Sequence, residues 1–379
     1  MKRPLRVVVV TESFLPQVNG VTNSVLRVLE HLRAEGHQAL VIAPESSGGI
    51  TEYAGFRVKR VPSLEMMGLL PVGFPQKAIE PLIDGFNPDV IHLASPFFLG
   101  NYASRVAERL NIPTLSVYQT DIAGFARHYG LTIAHNTLKK WVARIHQSTD
   151  LTLAPSKWAS RDLESTGVKN VEIWKRGVDL VKFDPARRDE SLRENIRGKD
   201  SAKLIIGYVG RLANEKRIDD LAILDRQPDI QLVIVGGGPA EARLKRELPN
   251  ARFVGYQSGT ELGRYVASFD IFVHTGKHET FCQAIQEALA AGVPVIGPDT
   301  GGPVDLIEHG ITGLLIDTAD SYALLEAVST LRSHSAFDLM QIAARRSVEH
   351  RTWDYINAQL IDYYRQTIAH VSRKGELVA

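Results

Sequence analysis

Leu204-Ile205-Ile206-Gly207-Tyr208-Val209-Gly210-Arg211-Leu212-Ala213-Asn214-Glu215-Lys216 is the stretch on which the fold turns. Its first half is a continuous apolar run rather than an alternating one. A strand that is apolar on both faces is buried on both faces, the mark of a parallel sheet under helices. Its second half is a glycine followed by two cations five residues apart, Arg211 and Lys216. Ligands of open α/β sheets collect at the carboxyl ends of strands, so both cations can reach one pocket there. Two cations suit a diphosphate, whose charge otherwise stays unpaired. The alternative is an exposed Arg and Lys pairing locally with Glu215 and Asp219.

Similar runs follow at Leu232–Gly236, Phe269–His274 and Val293–Gly297, and precede at Arg6–Val10, Ala39–Ala43, Val90–Leu93, Thr114–Val117 and Leu151–Ala154. Helical patterns lie between them. In Val21–Glu35 the residues Val21, Val25, Val28, Leu29 and Leu32 share a face, and Gly36 is a stop. The two series are separated by Asp179–Asp200, dense in charge and carrying Asp184-Pro185 and Gly198, a linker composition. The expectation is an α/β protein of two Rossmann-like, doubly wound domains facing across a cleft. The first covers 1–183 and takes the acceptor, 184–199 is a linker, and the second covers 200–350 and takes the donor. A helical tail over 351–379, with Trp353, Ile356, Leu360 and Tyr364 at helical spacing, crosses back to the first domain. A length of 379 residues suits two domains.

Composition removes whole classes of function. At 44% hydrophobic and 23% charged residues the chain is globular, not disordered or coiled coil. The single cysteine, Cys282, excludes an internal disulfide and thiolate zinc sites, and points to the cytoplasm. No apolar run reaches the length of a membrane span. A net charge of +1 argues against nucleic acid as a partner, and the oligomeric state stays open. Up to Pro185 there are 21 Lys+Arg and 17 Asp+Glu (21 − 17 = +4), and beyond it 23 and 26 (23 − 26 = −3), an asymmetry that chance also produces.

Further signals fall just after strands. Glu279-Thr280-Phe281-Cys282-Gln283-Ala284-Ile285-Gln286-Glu287 leaves a strand, crosses a polar loop and enters a helix near Phe281. Glu279 then sits beside a helix N-terminus, whose free N–H groups favour phosphate, with Glu287 two turns in. The alternative is an N-terminal acid and one solvated helical glutamate. Gly236-Gly237-Gly238-Pro239, Gly292-Val293-Pro294-Val295-Ile296 and Gly301-Gly302-Pro303 are glycine-marked turns. In Val18-Asn19-Gly20-Val21-Thr22, Gly20 permits close backbone approach to a ligand. Tyr118-Gln119-Thr120-Asp121 also lies just past a strand. A P-loop, a G-x-S-x-G elbow, an H-E-x-x-H helix and a D-x-D metal clamp are all missing from the sequence.

Gly20, Gly210-Arg211…Glu215-Lys216, Gly236–Gly238, Glu279…Glu287 and Gly292-Val293-Pro294-Val295 occur in the order seen in family-4 retaining glycosyltransferases of the GT-B fold. The chain resembles that family over almost its whole length. Glu12–Val21, Ile173–Asp179 and His278–Gln283 are similar to the members that act on diacylglycerol glycolipids. The resemblance implies transfer of mannose from GDP-mannose to a glucuronosyl-diacylglycerol acceptor, forming an α-mannoside without a metal or other cofactor. Glucosyl or sulfoquinovosyl transfer from a UDP-sugar to diacylglycerol is the nearby alternative. A sugar-nucleotide epimerase and a non-catalytic sugar-nucleotide binder are the alternatives of other classes.

The roles implied by the resemblance are as follows. Arg211, Lys216, Glu279 and Asp121 are catalytic. Gly20, Gly210, Arg211, Lys216, Gly236, Val254, Glu279, Thr280, Phe281, Cys282, Gln283 and Glu287 bind the donor, with Arg211 and Lys216 on the diphosphate and Glu287 on the ribose. Asn19, Tyr118, Gln119, Thr120 and Asp121 face the acceptor. One departure stands out: related lipid glycosyltransferases carry His where this chain has Gln119. Gln can hydrogen-bond but cannot titrate, which makes Asp121 the candidate. A lipid acceptor also implies peripheral binding to the inner face of the plasma membrane. The apolar stretch Leu64–Pro75, preceded by Arg57, Lys59 and Arg60, is one candidate for the membrane face, and Lys139, Lys140 and Arg144 are another. The alternative is an ordinary packed loop with solvated lysines.

Overall fold

A computed structural model of the chain describes residues 3–66, 70–73, 79–119, 132–198, 200–333 and 337–378. The chain forms two compact units, Met1–Arg176 with Trp353–Ala379, and Gly177–Thr352.

The first unit is built on a sheet of β1 (Arg6–Val10), β2 (Gln38–Pro44), β3 (Glu52–Tyr53), β4 (Phe56–Val61), β7 (Val90–Leu93), β8 (Thr114–Val117), β9 (Leu151–Ala154) and β10 (Val171–Ile173). A separate antiparallel hairpin joins β5 (Ser63–Met66) to β6 (Leu70–Gly73), within the apolar stretch offered as a membrane face or a packed loop. The order in the main sheet is β10-β9-β8-β7-β1-β2-β4-β3, parallel throughout except for the edge strand β3. Val7–Val10 are fully buried, as a two-sided strand requires. Helix Gly20–Ala34 buries Val25, Val28, Leu29 and Leu32, and Gly36 follows at φ +74, the left-handed stop.

The tail belongs to this unit. Helix Trp353–Val378 places Ile356, Leu360, Ile361 and Tyr364 in the core behind β1 and β7. The Trp174 indole donates to the Ile356 carbonyl at 2.8 Å, and the Tyr364 hydroxyl meets His92 Nδ1 at 2.6 Å. Burial drives the His92 pKa down to about 3. The ring is thus neutral, as a buried imidazole without a counter-charge must be.

The second unit holds β11 (Leu204–Val209), β12 (Ile230–Val235), β13 (Arg252–Gly255), β14 (Ile271–Val273), β15 (Val295–Pro298) and β16 (Gly313–Ile316), all parallel in the order β13-β12-β11-β14-β15-β16. The direction of winding reverses between β11 and β14, the place where doubly wound sheets hold ligands. β13 is one edge strand of this sheet.

The expected linker over 184–199 is not one, and the chain passes between units at Arg176–Gly177 and Thr352–Trp353 instead. Helix Glu190–Arg197 buries Leu192 and Ile196 in the second core. Its charges turn inward: Asp270 takes Arg188 at 2.9 Å, Arg193 at 2.8 Å and Arg197 at 3.6 Å, and accepts the Ile205 amide at 2.9 Å. A charge-dense stretch reads as solvated unless its partner, 80 residues on, is known. Arg345 fixes the preceding turn by donating to the carbonyls of Phe183 at 2.9 Å and Ala290 at 2.7 Å.

Removing Asp270 leaves the buried Arg193 with only the exposed Glu190 as a charge partner. Asp270→Ala is expected to lower the stability of the second unit by about 3 kcal/mol or more, read from urea unfolding. A loss under about 0.5 kcal/mol, the range of ordinary surface changes, would mean that the cluster does not hold the helix down.

Candidate active site

At the β11–β14 reversal two loops meet. From β11 the chain runs through Gly210 and Arg211 into a 3-10 turn, Asn214–Lys216. From β14 it runs through His274, Thr275 and Gly276 to Glu279. Lys216 Nζ donates to Glu279 Oε1, and His274 Nε2 lies 3.1 Å from the same oxygen. Thr275 Oγ1 ties the loops together by donating to the Lys216 carbonyl at 2.9 Å.

Burial by itself pushes the Glu279 carboxyl up, but the Lys216 ammonium and then His274 outweigh it and hold it at about 2. Burial likewise works against the Lys216 ammonium, and the facing carboxylate prevails, raising its pKa. Both groups are therefore ionised at neutral pH. The Cys282 thiol is pushed well up by burial and by Glu279, so it is a neutral packing group rather than a nucleophile. Among the described residues His274, Glu279 and Cys282 form one trio of metal-ligand type, with ligand atoms within 4.8 Å. The carboxylate oxygen that receives His274 also receives Lys216, so a metal there would have to displace the ammonium.

Arg211 pairs with Glu215 one turn on, the local pairing that the sequence offered as an alternative. Lys216 does not pair locally, because its partner comes from another strand. The helix after Glu279 begins at Gln283 rather than Phe281. Cys282, at φ +77, makes the turn into it, and Gln283 Nε2 donates to the Gly177 carbonyl at 3.0 Å. Thr280 and Phe281 are buried, and Glu287 is half-buried two turns along. The Gly301-Gly302 turn packs beneath this loop. A Cβ on Gly302 would come within 2.5 Å of the Phe281 backbone, and the Gly302 amide donates to the Glu279 carbonyl at 2.7 Å.

Two expected donor contacts have a packing explanation. Gly236, at φ +137, lies so close to the β11 loop that a Cβ would stand 1.9 Å from the Gly210 carbonyl oxygen. Val254 is a part-buried side chain of edge strand β13, packed on the core.

In the first unit Asn19 caps helix Gly20–Ala34. Its Oδ1 accepts from the Thr22 amide at 3.0 Å and its Nδ2 donates to Ser13 at 2.7 Å. Tyr118, expected on the acceptor side, points into the core, with its hydroxyl 3.3 Å from Asp162 and its ring edge-on to His146. Gln119 is buried, donates to the Ala94 carbonyl at 2.5 Å and accepts from Arg176 at 3.1 Å. Arg176 also donates to the Gly20 carbonyl, which joins the two loops. Thr120 and Asp121 lie outside the described residues.

Residues 18–182 match the family model described as Glycosyltransferase Family 4, and residues 189–346 match Glycosyl transferases group 1. A GDP-mannose-dependent alpha-mannosyltransferase of Corynebacterium glutamicum is 46% identical over 97% of this chain and 90% of its own length. The chain belongs to the family-4 glycosyltransferases. A sulfoquinovosyl transferase of Arabidopsis thaliana is 27% identical over 93% of this chain and 72% of its own. The solved sucrose-phosphate synthase of Thermosynechococcus elongatus superposes with a TM-score of 0.81 at 19% identity, covering 97% of this chain and 100% of that one, and shares the GT-B fold.

The glycosyltransferase holds two site-like residues that the sequence did not single out. In the sequence His274 is only the last residue of a strand, and its signal is a polar side chain ending an apolar run. Glu12 lies two residues past β1, at the β1–β7 reversal of the first sheet. Its Oε1 accepts the amides of Phe97 at 3.1 Å and Gly100 at 3.0 Å, at the start of helix Phe98–Leu110. Burial raises its pKa to about 7, against hydrogen bonds from the Gly100, Phe97 and Leu99 backbone.

The glycines give a sharp test. A Cβ on Gly20 would meet nothing nearer than Arg176 at 3.8 Å, so the fold itself accepts alanine there. Gly20→Ala in this glycosyltransferase is expected to melt within about 2 °C of the native protein, while transfer falls by about a hundredfold through misplacement of the donor. Gly236→Ala should instead lower the melting temperature by about 5 °C or more. Unchanged turnover in Gly20→Ala would remove that residue from the donor site.

Proposed function

We propose that the enzyme transfers mannose, with retention, from GDP-mannose to a lipid-linked acceptor of the glucuronosyl-diacylglycerol type, without a metal. The observation that carries this reading is the 46% identity, along nearly the whole chain, to a GDP-mannose-dependent alpha-mannosyltransferase. The second unit takes the donor and the first the acceptor. Lys216 and Arg211 neutralise the diphosphate as it departs, the work a metal does elsewhere. Glu279 accepts hydrogen bonds from mannose hydroxyls, Glu287 from the ribose, and the backbone of Thr280–Gln283 donates to sugar and phosphate oxygens. In front-face transfer the bond from C1 to the phosphate oxygen breaks, and that oxygen takes the proton of the attacking acceptor hydroxyl. The new C1–O bond keeps the α configuration. Asp121 is the acceptor-side candidate, since both ends of Gln119 are held. Transfer from a UDP-sugar to diacylglycerol is the second reading, supported by the more distant sulfoquinovosyl relative.

A diacylglycerol acceptor does not leave the bilayer, because each exposed CH₂ costs about 0.8 kcal/mol. No described helix is long and apolar enough to cross a membrane, so the proposal includes peripheral docking at the inner face. Lys140 and Arg144, exposed on helix Thr132–Gln147, serve as the basic attachment. Lys139 contributes less, being paired with Asp162 at 2.5 Å. The hairpin β5–β6 is the apolar candidate. Of the proposed stretch, residues 67–69 and 74–75 lie outside the described residues.

Incubation with GDP-mannose and UDP-glucose, with and without glycolipid, tests the reaction. An α-anomeric mannoside formed only with acceptor, and unaffected by EDTA, is expected. A β-anomer, strong inhibition by EDTA, or donor conversion without acceptor would each overturn the reading. Flotation with phosphatidylglycerol vesicles tests the attachment: Lys140→Glu/Arg144→Glu should float less than the native protein, and equal flotation would move the membrane face elsewhere.

A further inference from the structure

We infer that His274, Thr275 and Gly276 form a positioning bracket that sets the Lys216–Glu279 pair for donor transfer, an inference resting on the donor reading above.

The bracket grips both partners at once. His274 is 3% exposed at its side chain, with its ring stacked flat on Tyr208 at 6.0 Å between centroids and 9° between planes. Tyr208 is held in turn by the bare backbone of Gly210, where a Cβ would stand 2.8 Å from the tyrosine oxygen. With its ring fixed on that side, His274 directs Nε2 at Glu279 Oε1. Because the carboxylate is ionised, Nε2 must be the donor in this contact. Nδ1 is buried without a partner. A side chain that merely filled this space would need no nitrogen at all, and this ring leaves one unsatisfied in order to commit the other to Glu279.

Thr275 holds the other partner through its bond to the Lys216 carbonyl, and its own carbonyl accepts from Thr318 Oγ1 at 3.1 Å, anchoring the turn beyond β16. Gly276 supplies clearance: a Cβ there would lie 3.0 Å from His274 Nε2 and 3.5 Å from Lys216 Cα. Both donors converge on Oε1 of Glu279, and Oε2 receives neither of them. A carboxylate fixed by one oxygen presents the other in a defined direction, which suits recognition of a sugar hydroxyl.

The test uses whichever nucleotide sugar the native enzyme turns over, so a wrong donor assignment appears first, in the native protein, and leaves the bracket still testable. His274→Phe keeps the stacking ring and loses the donor, whereas His274→Gln restores an amide N–H near the position of Nε2. In His274→Phe, kcat/KM should fall by about tenfold to a hundredfold, as loss of a hydrogen bond to a charged group predicts. Binding of the free nucleoside diphosphate should change by less than about threefold, since that ligand carries no sugar to be oriented. His274→Gln should recover most of the loss, and should His274→Phe fail to fold, Thr275→Val should lower kcat/KM with an unchanged melting temperature. Native turnover in His274→Phe, or equal losses in Phe and Gln variants accompanied by a matching loss of diphosphate affinity, would overturn the bracket.

Discussion

The ion pair between Lys216 and Glu279 is the constraint on which the site depends. Neither residue finds its partner locally. The pair exists because β11 and β14 are neighbours in a parallel sheet whose winding reverses between them, so that their exit loops converge. Its electrostatics follow from its place: half-buried charges are costly unless matched, and here each holds the other ionised against burial. The rest of the site serves that match. Gly301 and Gly302 let the Glu279 loop sit low, Gly236 and Gly238 let the β11 loop close in, and Cys282 turns the chain into the following helix. The proposed neutralisation of a leaving diphosphate by side chains needs its cations placed before the donor arrives, and Glu279 already holds Lys216 in place.

The two sheets share a plan, and each carries a carboxylate at its reversal. In the second unit that carboxylate is matched by an ammonium and stays charged. In the first, Glu12 is matched only by backbone amides and its pKa is raised to about 7. Environment, not residue type, separates the two. The segment that leads out of the first unit is equally constrained. Arg176 spans from Gln119 to Gly20, and Gln119 is pinned by the Ala94 carbonyl. Gln119 thus ties the end of β8 to the Ala94 and Arg176 segments.

Much of this was legible in the sequence, for identifiable reasons. Strands buried on both faces announce themselves by unbroken apolar runs, and β1, β7, β8 and β9 have the bounds that the runs suggest. Short or half-exposed strands such as β3, β10 and β13 carry no such signal. Arg211, Lys216 and Glu279 could be marked as site residues from their places after strands, but not the pairing of Lys216 with Glu279 over Glu215, which strand order alone decides. The charges of 184–199 looked solvated because Asp270 lies far along the chain. Tyr118 looked available because a strand end says where a residue sits, not which way its side chain turns. His274 was hidden for the same reason.

Calorimetric titration of GDP into the native enzyme, Lys216→Met, Glu279→Gln and the double variant tests the central pair most directly. If Lys216, held by Glu279, receives the diphosphate, Lys216→Met should bind GDP about tenfold or more weakly, the worth of a charge-assisted bond. Glu279→Gln should then alter GDP affinity only while Lys216 is present. Native affinity in Lys216→Met, or an effect of Glu279→Gln that is the same with and without Lys216, would contradict the role given to the pair.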